Sequence, residues 1–313
     1  MRLQRLTVRG FRNLADATLA VPHAGAVLLG ANGQGKTSLL EAIAYPVLFR
    51  SFRTVLDAEL VRFGDGGFHV ELGFLKGDGA HEVATTFRAL GRKKQLQVDG
   101  APTARLVDAA GAWLAVVFAP DDVRLASGPA TGRRLFLDRT LALSDPGYLA
   151  ALARYRAALV ALGEHGGAST LAYHGHPELA DPGAWPERLA QAAARDLARR
   201  MTTVGPHRDD LELRLGGHAL RDFGSTGQQR SAAIALKLLE LETIERATGR
   251  CPALLLDDVF AELDPDRQAR LSRRLFGGRP AQVFVSAPRE DELPADLELP
   301  VWRVAAGAVS EER

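Results

Sequence analysis

The sequence predicts an α/β fold with an antiparallel β-subdomain and an inserted helical arm. The apolar runs "GAVLLG", "ALLLDD" and "AQVFVS" are typical of strands buried on both faces of a sheet. Short alternating stretches at 68–76, 82–88 and 94–98 predict antiparallel strands. From about residue 133 the sequence becomes Ala- and Arg-rich and helical, and strand-like sequence returns at "DDLELRL". The chain therefore leaves a sheet for a helical excursion and comes back.

Each element follows from its local pattern. Alternation in "LQRLTVRGFRNL" predicts a first strand, and "KTSLLEAIAY" predicts a helix that Pro46 ends within about a turn. Residues 152–170 and 187–201 are predicted helices, with a loop at 173–186 between them because that segment is dense in Pro, Gly and His. A long helix, "QQRSAAIALKLLELETIERATG", precedes "ALLLDD".

Bulk composition excludes several classes of protein. The formal net charge is +1, so any binding of nucleic acid depends on a local basic patch rather than on the overall field. The lone cysteine, Cys251, excludes an internal disulfide and a cysteine-clustered zinc site. No uninterrupted apolar window approaches 18 residues, and the N-terminus lacks the apolar core of a signal peptide. We expect a soluble, cytoplasmic protein with no membrane partner.

A glycine-rich loop fits the complete P-loop pattern G-x-x-x-x-G-K-T between a buried strand and a helix. Its backbone N–H groups would converge on phosphates at the positive end of the helix. Lys36 would reach the β- and γ-phosphates, and Thr37 would hold Mg²⁺. A chance glycine turn is the alternative. The candidate nucleotide-binding residues are Gly30, Ala31, Asn32, Gly33, Gln34, Gly35, Lys36, Thr37 and Ser38.

Two carboxylates at the end of "ALLLDD" are candidates for the acidic half of such a site. Asp257 would complete the Mg²⁺ site, and Asp258 would polarise the attacking water. A strand-end pair that only caps a turn is the alternative. Lys36 and Asp257 are 221 residues apart, so a large segment is inserted between the two halves of the site.

A third element precedes the long helix. In "GSTGQQR", Ser225 offers a hydroxyl and Gly227 a backbone N–H at a helix start, which together favour an anion. Alone, this stretch is equally a plain helix N-cap. Between a P-loop and an acidic strand end it resembles the signature motif of ABC-type ATPases, and "AELD" at residues 261–264 resembles their D-loop.

Several motifs then agree in order with one family. "FRNL", "GANGQGKTSLLEAI", "SFRT", "FAPDD", "GRRLFLD", "VGPHRDDLEL", "STGQQR" and "LLLDDVFAELD" follow one another as in the RecF family, bacterial recombination mediators with an SMC-like ATPase head. The resemblance covers roughly residues 1–140 and 200–290. It implies a P-loop ABC/SMC-type head at 1–138 and 201–313, interrupted by a shortened helical arm at 139–200.

The resemblance also implies a mechanism. Two ATP molecules would be sandwiched in a head-to-tail homodimer, each between the P-loop of one subunit and the signature motif of the other. Ser225, Gly227 and Gln228 would contact the partner's γ-phosphate, and Asp264 would lie near the dimer seam. Slow hydrolysis, with Lys36, Asp257 and Asp258 as catalytic residues, would release a clamp on DNA.

The sequence departs from the family pattern in places. The arm is short, no switch histidine follows "AQVFVSAP", and Ser286 in that neighbourhood receives no role. Asp258 stands where ABC proteins usually have glutamate. His207 in "GPHRDD" is either a titrating contact or a turn histidine with local hydrogen bonds.

Duplex or gapped DNA is the expected nucleic-acid partner, bound through its backbone because no aromatic cluster suggests base stacking. For each candidate cation, the competing interpretation is a solvated charge. A RecR-type protein partner, and a part in loading recombinase, are implied by resemblance only. The candidate phosphate contacts are Arg92, Lys93, Lys94, Arg133, Arg134, Arg195 and Arg199.

Two other functions compete with the clamp. A structural head would bind ATP and dimerise without turnover, because Asp258 is shorter than the usual glutamate. A transporter ATPase subunit shares the three motifs but needs a glutamine-bearing loop and a switch histidine, which this sequence lacks.

Overall fold

The computed structural model describes residues 1–77, 79–103, 109, 111–144, 169–174, 185–199, 209–261, 263, 265–276, 281–295 and 297–311. The chain divides into two compact units. The first unit combines Met1–Pro120 with Glu240–Arg313, and the second comprises Asp121–Leu239.

The described elements are numbered here in chain order. The strands are β1 Arg2–Arg9, β2 Ala17–Ala20, β3 Gly25–Leu29, β4 Gly67–Lys76, β5 Gly79–Arg88, β6 Lys93–Val98, β7 Ala101–Thr103, β8 Ala115–Phe118, β9 Ser169–His174, β10 Asp210–Leu215, β11 His218–Ala219, β12 Ala253–Asp257, β13 Val283–Ala287, β14 Val301–Ala305 and β15 Ala308–Glu311. The α-helices are α1 Lys36–Leu48, α2 Arg124–Ser127, α3 Ala130–Leu143, α4 Trp185–Arg199, α5 Leu220–Phe223, α6 Thr226–Thr248 and α7 Pro265–Phe276. Short 3₁₀ segments cover Asp57–Leu60, Leu90–Arg92, Pro120–Val123 and Glu290–Glu292.

The first unit contains a largely parallel sheet in the order β15-β14-β3-β13-β12-β8. Strands β3, β13, β12 and β8 are parallel neighbours, and every residue of β3, β12 and β13 is buried, as the apolar runs predict. Because they run in parallel, their carboxyl ends meet at one edge. That edge is where open α/β sheets bind ligands.

A second sheet in the same unit has the order β2-β1-β4-β5-β6-β7, with antiparallel neighbours throughout. It confirms the predicted antiparallel β-subdomain. Helix α1 contacts β8, β12 and β13 of the first sheet and β4 and β5 of the second. The helix that follows the glycine loop is therefore packed between the sheets. Edge-to-face contacts among Phe11, Tyr45 and Phe68 fill part of that interface.

In the second unit, β9 and β11 flank β10 in an antiparallel sheet. Helix α3 packs on β10, whose Leu211 and Leu213 are buried. The predicted helix at residues 169–170 and the predicted loop at 173–174 were wrong, because these residues belong to strand β9. Its register pairs Tyr173 with Leu211 and Leu171 with Leu213. Local helix propensity carries no information about such a long-range pairing.

The predicted division into head and arm stays a prediction, since much of the segment 139–200 lies outside the described residues. Within the parts of the chain that the structure describes, no helix combines the length and apolarity needed to cross a bilayer.

Candidate functional site

The glycine loop joins the end of β3 to the start of α1, at the carboxyl edge of the parallel sheet. Gly33 and Gly35 adopt φ of 79° and 115°, conformations that favour glycine. At Gly30 the constraint is space, because a Cβ there would lie 2.2 Å from the carbonyl oxygen of Val304. The loop's shape therefore requires glycine at these positions.

Side chains of the loop are held by the protein around it. Lys36 is buried, and its Nζ donates to the carbonyls of Gly30 at 2.6 Å and Ala31 at 3.1 Å. Ser38 donates to Oδ1 of Asn13 at 2.8 Å, and Nδ2 of Asn13 donates to the carbonyl of Gly33 at 3.0 Å. Asn13 thus ties the loop to its helix.

Gln34 fastens the loop to the hairpin formed by β14 and β15. Its Oε1 accepts the N–H of Ala306 at 2.6 Å, and its carbonyl accepts the N–H of Gly307 at 2.9 Å. Ala31 and Asn32 are exposed at the tip of the loop. The side chain of Gln34 therefore braces the loop from behind, while the tip is open to a ligand.

Thr37 and Asp257 meet as the sequence predicts. Oγ1 of Thr37 donates to Oδ1 of Asp257 at 2.9 Å, across 220 residues of chain. Burial raises the pKa of Asp257, while hydrogen bonds from Ser286 and Thr37 lower it, the charge of Asp258 raises it and the charge of Arg53 lowers it. The net direction is upward. A hydroxyl and a buried carboxylate converging at a strand end form an oxygen-rich corner that suits Mg²⁺.

Ser286 links the two acidic residues, a role that the sequence did not reveal. In the sheet register it lies beside Asp257. Its Oγ is 2.8 Å from Oδ1 of Asp257 and 3.1 Å from Oδ1 of Asp258, and it accepts the N–H of Asp258 at 2.9 Å. Asp258 has φ of 48°, in the left-handed region. The pattern "VFVS" places a serine at the end of a buried strand, which is the signal that could have identified it.

An open cleft of about 1210 Å³ lies over the loop within the first unit. That volume accommodates a nucleotide. Thr37 and Asp258 line one part of it, and several residues absent from the sequence-based site complete the wall. The added lining residues that bear on function are Arg12, Asn13, Arg53, Arg62 and Phe63.

The signature candidates lie in the second unit, at the start of α6. Ser225 accepts the N–H of Gln228 at 3.2 Å, and its own N–H donates to Oε1 of Gln228 at 2.9 Å. This reciprocal pair is a capping box. Ser225 is exposed and Gly227 half-buried. The plain N-cap interpretation is therefore realised in this chain, and contact with a nucleotide on a second copy stays a prediction.

Asp264 lies outside the described residues, as does Glu262 in the same D-loop stretch. His207 also lies outside them. Within the described ranges, no group of three or more His, Cys, Asp or Glu side chains is placed to hold a metal ion.

The candidate DNA contacts separate into exposed and internally used cations. Arg92 and Lys93 are exposed at the turn before β6. Nζ of Lys94 instead lies 2.6 Å from Oδ2 of Asp57, donates to the carbonyl of Phe49 at 2.8 Å and sits over the ring of Tyr45. Lys94 therefore holds the Asp57 segment in place.

Arg133 does not fit the prediction that it contacts a DNA phosphate. Its guanidinium is buried and forms a bidentate pair with Asp210 at 2.7 and 2.9 Å, and Nη1 donates to the carbonyls of Gly128 and Leu125. Four of the five N–H donors of this buried guanidinium are therefore used within the protein. The neighbouring Arg134 is half-buried and donates to the carbonyl of Asp209.

On helix α4, Arg195 is exposed, and the side chain of Arg199 lies outside the described part of the chain.

Comparisons with known proteins show which family the chain belongs to. No family model matches the chain. The DNA replication and repair protein RecF of Anaeromyxobacter dehalogenans (strain 2CP-C) is 36% identical to this chain over an alignment 369 residues long, which covers 99% of both chains. The chain belongs to the RecF family. Because that alignment is longer than this 313-residue chain, the relative carries residues that the chain lacks.

Solved structures agree with the family assignment. The recombination mediator RecF bound to ATP, from the RecFOR pathway, matches with a TM-score of 0.84 and 26% identity, over 100% of this chain and 98% of that one. An SMC head bound to the C-terminal winged-helix domain of ScpA matches with a TM-score of 0.68 at 17% identity, over 100% and 97%. The predicted fold, an ABC/SMC-type ATPase head, is confirmed.

Proposed function

We propose that this RecF-family chain is an ATP-dependent DNA-binding protein of recombinational repair. The observation that carries the proposal is the contact between Thr37 and Asp257, which unites the P-loop with the acidic strand end across 220 residues. An open cleft of nucleotide size lies over the loop. The ATP-bound structure of a RecF relative at 26% identity supports ATP as the ligand.

In this proposal the chain's own residues bind and orient ATP. The loop's N–H groups and the start of α1 receive the phosphates, and Lys36 moves from its loop carbonyls to the β- and γ-phosphates. Thr37 and Asp257 hold Mg²⁺, which neutralises charge on the phosphates when bound. Asp258, oriented by Ser286, accepts a proton from the attacking water. We propose that turnover is weak.

ATP also drives assembly in this proposal. Two copies pair with two-fold symmetry, so that the capped helix start at Ser225, Gly227 and Gln228 covers the γ-phosphate held by the other copy. Asp264 lies near that seam. Because the γ-phosphate then belongs to the interface, its hydrolysis removes part of what holds the dimer together. ATP acts as a timer on a homodimeric clamp.

DNA is the proposed macromolecular ligand, in duplex or gapped form, and the clamp helps to load recombinase together with a RecR-type partner. Arg92 and Lys93 are the contacts that the geometry supports best, since both are exposed on one turn. Arg134, Arg195 and Arg199 remain candidates. Backbone contacts of this kind make binding dependent on salt and weak in sequence preference.

Retention on duplex DNA at fixed salt, with ATP and Mg²⁺, with ADP and without nucleotide, tests the proposal. Retention that appears with ATP and decays during hydrolysis is the expected result, and Lys36→Ala should remove the ATP-dependent part. Equal retention under all three conditions would separate DNA binding from the nucleotide and contradict the clamp. Absence of retention under all three conditions would also contradict the proposal that this chain, without a partner, binds DNA.

A structural head that dimerises without turnover is the second candidate. The observation that favours it is the hydrogen bond from Ser286 to Oδ1 of Asp258, which engages the shorter carboxylate within the protein. This candidate predicts ATP-dependent dimers whose phosphate release does not exceed that of the Asp258→Asn variant. Release above that background supports the timed clamp instead.

A further inference from the structure

Glu41 is a fully buried carboxylate beside the candidate site that the P-loop chemistry does not use. It lies on α1 four residues after Thr37, and none of its surface is exposed. Both of its oxygens are engaged by other side chains. A buried carboxylate is costly unless it is paired and hydrogen-bonded, so its partners show what the charge is for.

Arg12 is the first partner. Its Nε donates to Oε2 of Glu41 at 2.8 Å and its Nη2 to Oε1 at 2.9 Å, in a bidentate pair. The remaining Nη1 donates to the carbonyl of Glu59 at 2.9 Å. Arg12 lines the cleft. Glu41 therefore fixes one guanidinium in the wall of the candidate nucleotide site.

The turn that contains Ser51 and Arg53 is the second partner. Ser51 donates its hydroxyl to Oε1 of Glu41 and accepts the N–H groups of Arg53 at 2.8 Å and Thr54 at 3.1 Å. Nη1 of Arg53 is 3.6 Å from Oε2 of Glu41. Glu41 thus constrains Arg53 twice, through its side chain and through the backbone of its turn.

Arg53 is the more exposed of the two cations of this network. Its side chain is 44% exposed, compared with 21% for Arg12, and it lines the cleft together with Thr37 and Asp258. Its charge acts on Asp257, whose carboxylate it stabilises. The acidic strand end is where the terminal phosphate of a bound triphosphate would lie. Two guanidiniums around one carboxylate leave a net positive charge for that phosphate.

We propose that Glu41 is a positioning residue that holds Arg53 for the terminal phosphate, so that the cleft distinguishes a nucleoside triphosphate from a diphosphate. This inference rests on the proposed ATP function of the same cleft. A purely structural role for Glu41 would weaken the binding of both nucleotides equally, because both share the loop. A positioning role weakens ATP binding more than ADP binding.

Glu41→Gln tests the inference, because glutamine keeps the length and volume of the side chain but loses the charge that pairs with Arg53. We expect the affinity for ATP to fall roughly tenfold, as for loss of a charge-assisted hydrogen bond, while the affinity for ADP changes far less. The measurement is equilibrium titration of the full chain with ATP and with ADP in Mg²⁺. Glu71→Gln, which breaks a surface pair with Arg5, is the matched control. An equal loss for both nucleotides overturns the inference.

A double-mutant cycle shows whether Glu41 acts through Arg53. In an Arg53→Ala background, Glu41→Gln should cause no further fall in the ratio of ATP to ADP affinity. An additive fall in the ratio would mean that Glu41 acts by another route and would overturn the inference. If the wild-type chain itself does not bind ATP, the proposed function fails, which is a distinct result.

Ser51→Ala keeps the test decisive if the Gln variant does not fold. It leaves the pair between Arg12 and Glu41 intact and releases the turn that carries Arg53. We expect a smaller fall in the same ratio, about threefold, as for loss of one neutral hydrogen bond. An unchanged ratio in a folded Ser51→Ala protein would contradict a positioning role for the network.

Discussion

The hydroxyl of Ser286 lies 2.8 Å from Oδ1 of Asp257 and 3.1 Å from Oδ1 of Asp258. It also accepts the N–H of Asp258 at 2.9 Å. One side chain of strand β13 therefore sets the spacing of the two carboxylates that end strand β12. It leaves Oδ2 of each carboxylate outside this set of hydrogen bonds.

Ser286→Ala should weaken Mg²⁺-dependent binding of ATP. Asp257 would keep only Thr37 as a hydroxyl donor, and the N–H of Asp258 would lose its acceptor, at a cost of about 1–2 kcal/mol in the free energy of unfolding. Titration of Mg²⁺ at fixed ATP measures the first effect and denaturant unfolding the second. Ser127→Ala is the control, because that hydroxyl donates to the carbonyl of Val123 in the second unit. An unchanged Mg²⁺ titration for Ser286→Ala would contradict this role.

Asp257→Asn should stabilise the metal-free protein at neutral pH while abolishing Mg²⁺-dependent binding. Burial raises the pKa of Asp257, so the ionised carboxylate is disfavoured in the folded state. The contribution of Asp257 to the free energy of unfolding is fully present below its unfolded pKa near 3.8. That contribution is lost as pH rises through its folded pKa. Asparagine keeps an oxygen that accepts from Thr37 and Ser286 and carries no charge, so we expect Asp257→Asn to unfold at a higher denaturant concentration than the wild type at pH 7.

Denaturant unfolding of both proteins in chelator at several pH values measures that difference. The gain for Asp257→Asn should narrow as pH is lowered through the folded pKa of Asp257 towards 3.8, because the wild-type carboxylate then takes up a proton. A destabilised Asn variant at pH 7 would show that the carboxylate stabilises the fold as an anion.

Local patterns predicted the main parts of the site because each lies within a few residues. The loop from Gly30 to Ser38, the strand ending at Asp257 and the helix start at Ser225 are all contiguous, and each pattern specifies its own element. The meeting of Thr37 and Asp257 followed from one further expectation, that a P-loop takes its second metal ligand from the tip of another strand.

The residues that sequence reasoning missed depend on long-range register. Ser286 reaches Asp257 only because β12 and β13 pair in a particular register. Glu41 meets Arg12 and Ser51 across separate segments of the first unit. Strand β9 was mistaken for helix and loop because its pairing with β10 spans more than thirty residues. A local pattern carries no information about such partners.

Ser225→Arg should leave ATP binding by the monomer intact and block ATP-dependent dimerisation. Ser225 is exposed at the start of α6, so an arginine there projects outward and places a bulky side chain where a partner's nucleotide would approach. Light scattering with and without ATP measures the dimer, and titration at low protein concentration measures monomer binding. Ser225→Asp, which can still cap the helix, separates a capping effect from a steric one. A Ser225→Arg protein that still dimerised with ATP would refute the trans-signature model.

Lys93 and Lys94 are adjacent but should behave oppositely when replaced by alanine. Lys93 is exposed, so Lys93→Ala should reduce the salt dependence of DNA binding by about one phosphate contact and leave stability unchanged. Lys94 pairs with Asp57 and donates to Phe49, so Lys94→Ala should lower stability by about 1 kcal/mol. DNA binding across a salt series and denaturant unfolding measure the two effects. If DNA affinity fell equally steeply with salt for Lys93→Ala and for the wild type, this turn would not be part of the DNA-binding surface.

Arg133→Ala should destabilise the chain rather than weaken DNA binding specifically. The guanidinium pairs with Asp210 and also donates to two carbonyls in the second unit, and removing one partner of a buried pair leaves the other uncompensated. Because the Asp210 side chain is 32% exposed, water offsets part of the loss, and we expect about 2 kcal/mol. Arg133→Lys should recover the charge but not the bidentate geometry. Its free energy of unfolding should therefore lie between those of the wild type and Arg133→Ala.

The pH dependence of unfolding shows which interaction Arg133 makes. Burial alone would raise the pKa of Asp210, but the hydrogen bonds from Arg133 and Leu211 and the nearby arginines outweigh it, so the pKa is lowered. Its stabilising contribution is therefore present above the unfolded value near 3.8 and is lost as pH falls through the folded pKa. Arg133→Ala should flatten that acid dependence and leave the salt slope of DNA binding unchanged. A reduced salt slope with unaltered stability would instead place Arg133 on the DNA surface, as the sequence alone suggested.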